Sequence, residues 1–168
     1  MTRGQELVPE FDQEMAVTRK CLQVVPDDLQ WRPHPTAMTY LELAGFLALL
    51  PSWITITVEK DELDLAPPEG QPPMPDLKKP ADIVAFFDAN VAAARTALAA
   101  VSDAAMAAPW KLLRAGQTIA TWPRAFVLRN SCLSHLVHHR GQLTVYLRMS
   151  GVKIPSLYGP SGDENPWG

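Results

Sequence analysis

The chain has 168 residues, of which 47% are hydrophobic, and its formal net charge is −3. A chain of this length and composition can bury one core without disulfides, so we predict a single domain over residues 1–168. The charge is slightly negative and no basic stripe alternates with aromatic residues. We therefore expect no nucleic-acid partner.

The N-terminal segment and the cysteines bear on location. The first residues are polar and acidic where a signal peptide would be apolar. The most apolar stretch, residues 41–58, contains Glu42 and Pro51, which favours a buried helix over a membrane span. Cys21 and Cys132 do not form a disulfide framework or a metal clamp. We expect a cytoplasmic protein that is not associated with a membrane.

Two helices are predicted in the first third of the chain. Apolar residues at helical spacing indicate a helix from Glu6 to Val25. The next segment, Trp31-Arg32-Pro33-His34, is followed by a second proline, which excludes a regular helix there. Thr39 stands three residues before Glu42 in a capping-box pattern, so a second helix is expected to run from there to about Glu62.

The rest of the chain is predicted to contain two more long helices. Six prolines between residues 64 and 80 indicate an extended crossover connection. An alanine-rich third helix follows over residues 81–101, and residues 102–120 are compatible with a short turn or an extended pair. The last helix is expected to open at Thr121-Trp122-Pro123 and to continue to Met149. No alternating strand pattern of useful length is evident, so the predicted fold is an all-α four-helix bundle with a long crossover connection.

The last predicted helix contains the candidate functional residues. His135 and His139 are four residues apart, which places both imidazoles on one face of an α-helix. Neutral imidazole is a common ligand for zinc, nickel and iron, so the pair is a candidate site for a divalent transition metal. The alternative is a buried histidine pair that is satisfied by hydrogen bonds to each other, to Gln142, to Tyr146 or to a facing carboxylate.

Other residues of this helix lie either on the face that carries His135 and His139, here called the histidine stripe, or away from it. Cys132, Gln142 and Tyr146 share the face of His135 and His139 and are expected to line the site. Arg140 projects well away from this stripe, and His138 lies on its flank. We expect both of these residues to lie at the surface or in a dimer contact.

Four segments together carry a resemblance to a known family. They are Trp31-Arg32-Pro33-His34, the helix opening from Met38 to Ala44, the string from His135 to Leu143, and the tail from Ile154 to Glu164. In these residues the chain resembles the DinB/YfiT family of four-helix-bundle proteins. The resemblance implies a metal held by three histidines, one from the second helix and two, mapping onto His135 and His139, from the last. It also implies a homodimer and an activity of the hydrolase or thiol-dependent transferase kind.

The sequence departs from this pattern at one position. The family pattern resembles Glu-Leu-Ala-x-His, whereas here Glu42-Leu43-Ala44-Gly45 is followed by Phe46. A phenyl ring cannot coordinate a metal, so two imidazoles would form an incomplete shell. Three other residues are candidates for the third ligand: Glu42, His34 and Cys132, although the distance along the helix between Cys132 and His139 argues against Cys132.

Two functions follow from these observations. The first is a metal-dependent hydrolase or thiol transferase with an altered metal site at His135 and His139, acting on an unidentified small molecule. The second is a non-catalytic, metal-free bundle that binds a small molecule or associates with itself. Phe46 favours the second function. The retained histidines favour the first, because apolar residues would stabilise a purely structural core better.

Overall fold

The computed structural model describes residues 1–167. Its elements, in chain order, are α1 (Arg3–Gln23), α2 (Tyr40–Glu59), β1 (Glu62–Asp64), α3 (Pro80–Ala100), α4 (Asp103–Ala107), β2 (Pro109–Arg114), β3 (Gln117–Pro123), α5 (Arg124–Val127), a π-helical segment (Leu128–Ser134) and α6 (His135–Met149).

The long helices pack against one another around one apolar core. Helix α3 lies against α1 and α2, and α6 contacts both α1 and α2. Helices α1 and α2 each begin at a threonine with a complete capping box, Thr2 with Gln5 and Thr39 with Glu42. The side chains that fill the core share an exposure of 2% or less and include Phe11, Leu22, Tyr40, Leu47, Ile83, Phe87, Leu98, Leu128, Leu136 and Leu143.

The expectation of an all-α fold is wrong, because the chain also forms a three-stranded sheet in the order β1-β2-β3. Strands β2 and β3 are antiparallel, and Ala115 and Gly116 join them with φ angles of 51° and 75°, as two-residue hairpin turns require. Strand β1 pairs with β2 in parallel. The fold is mostly helical with a small sheet. Strand β1 has only three residues, and an irregularity between Leu112 and Leu113 interrupts the alternation of β2, so no strand pattern stands out in the sequence.

The sheet also changes two predicted helix boundaries. Helix α2 ends at Glu59 rather than Glu62, because Glu62 begins β1. Residues 121–123 belong to β3, so the last helical stretch begins at Arg124. Residues 102–120, for which the sequence allows a short turn or an extended pair, contain a short helix and most of the hairpin. The extended pair is therefore the alternative that the structure supports.

Arg124 joins the end of α2 to the start of α5. The residue is 4% exposed, and its guanidinium donates to the carbonyl oxygens of Thr57 and Lys60. It also forms an ion pair of 2.7 Å with Asp61. A cation that satisfies carbonyls at a helix C-terminus stabilises that end through the helix dipole. The sheet strands that flank these residues are thereby held beside the last turns of α2.

The prediction that Arg140 lies at the surface or in a dimer contact is wrong, because the residue is buried within the protein. Its side chain is 2% exposed, forms an ion pair of 2.7 Å with Glu14 and donates to the Thr18 hydroxyl at 3.1 Å. Its guanidinium also donates to the Tyr158 hydroxyl and lies 5.0 Å from the centre of that ring. Helix phase alone indicated solvent at this position, but α1 and the C-terminal segment cover it.

Two helices, α2 and α3, are long and apolar enough by composition to span a membrane. Half of the qualifying window of α2 is buried inside the protein, and α3 packs against both α1 and α2. The buried half of this stretch of α2 lies in the protein core, where the sequence predicts a buried helix.

Candidate functional site

The histidine pair lies on the first turns of α6. His135 and His139 direct their Nε2 atoms at each other, 2.9 Å apart, and both side chains are half-buried. The four-residue spacing produces this approach because residues i and i+4 stack on one face of a helix. The ring centres are 4.6 Å apart. The two imidazoles therefore act as one unit in the site.

Phe46 of α2 covers this unit from the neighbouring helix. Its ring centre lies 5.5 Å from that of His135 and 5.0 Å from that of His139, with both contacts edge to face. Trp53 lies 5.8 Å from Phe46 and 5.7 Å from His135, again between ring centres. The position that the family pattern gives to a third histidine is thus taken by a phenyl ring within an aromatic cluster.

Each imidazole also has a partner away from the pair. The His139 Nδ1 atom lies 2.7 Å from Oε1 of Gln142. His135 has a hydrogen bond to the backbone of Ser131, one turn earlier. Partners of this kind fix the tautomer and the orientation of a ring, and metal-binding histidines usually have them.

These partners determine where the protons of the pair lie. An amide oxygen only accepts, so Oε1 of Gln142 requires a proton on Nδ1 of His139 and leaves its Nε2 without one. If His135 likewise donates to Ser131, two bare nitrogens face each other, and only a shared proton or a cation relieves their repulsion. If the Gln142 amide is reversed, the Nε2–H of His139 donates to His135 and the neutral pair is satisfied. Gln142 therefore controls the state of the pair.

The surroundings favour the neutral form of both rings. Burial lowers the pKa of His135, and the neighbouring His139 and His138 lower it further against the opposing hydrogen bond to Ser131. Burial also lowers the pKa of His139, while its hydrogen bond to Gln142 acts in the opposite direction. At neutral pH both rings are therefore uncharged, and with Oε1 of Gln142 facing Nδ1 of His139 the two Nε2 atoms are the acceptors of the pair.

The three alternative third ligands do not join the pair. Cys132 is buried, its Sγ lies 4.0 Å from the Thr57 hydroxyl, and burial raises its pKa to about 12, which leaves the thiol protonated. Glu42 is exposed and accepts from the Thr39 backbone N–H at 2.7 Å. His34 is exposed in the connector, with Nδ1 2.9 Å from the Thr36 hydroxyl. Within residues 1–167, no group of three or more His, Cys, Asp and Glu side chains is placed to hold a metal ion.

The other predicted lining residues divide between the pair and the core. Gln142 contacts His139 directly. Tyr146 lies further along α6, where its ring centre is 5.9 Å from Trp31 and 6.1 Å from Tyr40, so it belongs to a second aromatic cluster.

Sequence reasoning missed Ser131 as a partner of His135. Ser131 lies in the π-helical segment, whose wider turns change the helical phase just before His135. Periodicity calculated for a regular α-helix cannot place residues across such a segment. Cys132, which the same periodicity places with the histidines, lines a cavity together with His135, and its sulfur contacts the Thr57 hydroxyl of α2.

A family model described as the DinB family matches residues 2–166. The chain belongs to the DinB family. A curated relative, the uncharacterized protein YrdA of Bacillus subtilis, is 47% identical over 32 residues, which is 19% of this chain and 19% of the relative.

Two solved DinB-like structures resemble this member of the DinB family along most of its length. YjoA of Bacillus subtilis has a TM-score of 0.66 at 16% identity, covering 89% of this chain and 95% of that structure. A protein from Bacillus cereus has a TM-score of 0.66 at 21% identity, covering 90% and 95%. At sequence identities this low, the structural similarity shows a shared fold and nothing more.

The donor set of this DinB-family chain does not fit a firmly held catalytic ion. Catalytic zinc sites use three protein ligands and structural sites use four, whereas the His135–His139 pair supplies two. Phe46 presents the edge of a hydrocarbon ring to both imidazoles. The arrangement suits two neutral nitrogens that bind a proton or a hydrogen-bonding group.

Proposed function

We propose that this DinB-family protein binds a small molecule whose polar group contacts the His135–His139 pair directly, without a firmly held metal ion. The observation that carries the proposal is the position of Phe46, whose ring lies 5.0 Å and 5.5 Å from the two imidazoles where a third ligand would be needed. A neutral imidazole can accept from a ligand hydroxyl or amide and can take up a proton from it.

A second candidate is a metal-dependent hydrolase or thiol transferase with an altered site. One observation favours it: both imidazoles have hydrogen-bond partners beyond the pair, Ser131 and Gln142, as histidines that bind metals usually do. Zinc, nickel or iron would then have to take its remaining donors from outside the described side chains. The histidine pair alone would hold such an ion weakly.

Elemental analysis separates the two candidates. The protein is purified without an affinity tag, beside His135→Ala and the matched control His138→Ala, which removes an exposed imidazole from the same helix. The proposal expects no stoichiometric zinc, nickel or iron in any of the three proteins. One equivalent of metal in the parent and in His138→Ala, lost in His135→Ala, would overturn it and support the second candidate.

We also propose a cytoplasmic location and a homodimer. Both cysteines, Cys21 and Cys132, are buried and unpaired, which suits a reducing compartment. Val145 and Met149 are 56% and 59% exposed one turn apart on α6, an apolar surface that a second copy would cover. Sedimentation equilibrium of the parent and of Val145→Glu tests the dimer, which the substitution is expected to dissociate. A monomeric parent would refute it.

A further inference from the structure

A cavity of about 420 Å³ opens beside His135, between the sheet on one side and α2 with the π-helical segment on the other. Ligand pockets of small molecules have volumes of about 300–1,000 Å³ and are lined mainly by apolar and aromatic side chains with a few polar groups. The lining residues here share that character and include Trp53, Leu63, Trp110, Leu112, Trp122 and His135.

One face of the sheet forms the apolar wall of this cavity. Trp110 and Trp122 are paired directly across β2 and β3, and Leu63 of β1 is paired with Leu112 of β2. Paired residues share a face of a sheet, and residues i and i+2 of a strand do so too, which joins Trp110 to Leu112. The small sheet therefore presents two indoles and two leucines together.

The opposite wall places aromatic and polar groups together. Trp53 and Thr57 are one turn apart on α2, and Trp53 also contacts His135. Ser131 and Ser134 belong to the π-helical segment and line the same cavity. The hydroxyls of Thr57, Ser131 and Ser134 thus share this wall with His135, opposite the largely apolar face of the sheet.

The indole of Trp110 in the cavity wall has a buried, unpaired N–H. Trp110 is 3% exposed, and its indole Nε1 has no hydrogen-bond partner among residues 1–167. Buried donors in native proteins are nearly always paired, so the Trp110 indole is a wall residue whose donor the protein leaves unsatisfied.

Charge further narrows the occupant. Among residues 1–167, the side chains that line the cavity include no carboxylate, lysine or arginine. An ionised ligand would lose its hydration there without gaining a counter-charge, which is costly. A neutral ring has no such cost and can pack against several indoles.

We propose that this cavity binds an uncharged aromatic compound of one or two fused rings, with its ring against Trp53, Trp110 and Trp122 and one polar substituent at His135. This inference rests on the proposed function, because it names the class of ligand whose polar group meets the histidine pair. It requires no metal and no chemical step.

The test uses the chain's five tryptophans, whose indole N–H signals are followed in ¹⁵N-labelled full-length protein with a chelator present. The signals are assigned with single Trp→Phe variants, and 2-naphthol or naphthalene is added. Binding in the cavity shifts Trp53, Trp110 and Trp122 in a saturable way. Such binding does not shift the signals of Trp31, which packs against Tyr40, or of Trp167, which is 76% exposed. Absence of saturable shifts at the three cavity indoles, or equal shifts at all five, would overturn the proposal.

Two substitutions on the sheet provide a matched comparison. Leu112→Trp fills the cavity and is expected to weaken 2-naphthol binding by about tenfold or more, equivalent to about 1.4 kcal/mol. Ile119→Trp adds the same side chain on the same sheet at a position that is 54% exposed and outside the cavity, and is expected to leave binding unchanged. Equal weakening by both would contradict the proposal. If Leu112→Trp does not fold, the indole shifts of the parent still decide.

A His135→Phe variant distinguishes failure of this inference from failure of the proposed function. If 2-naphthol and naphthalene both shift the cavity indoles and His135→Phe does not weaken 2-naphthol relative to naphthalene, the cavity is a ligand site and the role of the histidine pair is refuted. If neither compound shifts the cavity indoles, the aromatic ligand class is refuted, and the metal analysis of the pair still decides the proposed function separately.

Discussion

His135 and His139 meet through their Nε2 atoms at 2.9 Å, beneath the ring of Phe46 on α2. Because the rings are half-buried and hydrogen-bonded to Ser131 and Gln142, the orientation of each imidazole is fixed by the protein. This relationship separates the chain from the three-histidine pattern that its family resemblance implies.

The histidine pair makes the stability of the protein depend on pH. Burial lowers the pKa of His135 and His139 below the ordinary value of 6.5 in the folded state. Between the folded and the unfolded pKa values the unfolded chain binds more protons, so the free energy of unfolding falls as pH decreases from about 7.5 to 5.5. Urea denaturation across this range measures the effect.

A substitution at the pair tests whether the two histidines cause this pH dependence of stability. His135→Phe removes one of the two titrating rings and is expected to flatten the slope between pH 7.5 and 5.5. The control His34→Gln changes an exposed connector residue and is expected to keep the parent's slope. An unchanged slope in His135→Phe would show that other groups cause the pH dependence.

The ion pair between Arg140 and Glu14 is expected to be the most sensitive polar contact of the fold. Their side chains are 2% and 12% exposed, and Tyr158 donates to the same Glu14 carboxylate. Arg140→Met leaves a buried carboxylate unpaired and is expected to lower the free energy of unfolding by about 3–5 kcal/mol. The measurement is chemical denaturation at pH 7.5.

The double variant Arg140→Met with Glu14→Leu tests the cause of this loss. Replacing both partners by apolar side chains removes the unpaired charge, so most of the stability is expected to return. If the double variant loses as much as the sum of the single variants, the two residues act independently, and the charge explanation is wrong.

Two glycines provide a matched test of helix packing. A Cβ at Gly4 would lie 2.3 Å from the Leu98 carbonyl oxygen and 2.4 Å from Val101 Cγ1, so α1 and α3 would have to separate. Gly4→Ala is expected to cost about 1–3 kcal/mol. At Gly141, in α6, the added Cβ meets nothing within 4 Å, and Gly141→Ala is expected to stabilise the protein by about 0.5–1 kcal/mol. Thermal unfolding of both variants checks the opposite signs, and equal effects would refute the close approach of the two helices.

Local signals predicted the long helices well and the last third of the chain less well. The capping box at Thr39 marked the start of α2, because a cap depends on residues three apart. Strand β1 was missed because it pairs in parallel with β2, and such long-range pairing leaves no local mark on three residues. Arg140 was misplaced because the Tyr158 segment that helps to cover it is distant in sequence.

In the candidate site, too, the sequence predicted what depends on regular helix and missed what does not. The spacing of His135 and His139 predicted their approach, because both lie in regular α-helix. The π-helical segment before them broke that regularity, so Ser131 was missed as a partner of His135. The position of Phe46 against both rings followed from a family pattern and not from periodicity.

Zinc titration by calorimetry tests the central claim most directly. The metal-free parent and Phe46→His, which restores the third imidazole opposite the pair, are titrated with zinc at pH 7.5. We predict one tight site per chain in Phe46→His and at least about a hundredfold weaker binding in the parent, because three ligands complete the set that a catalytic ion requires. Equally tight one-to-one binding in the parent would contradict the claim that Phe46 has left this site short of a ligand.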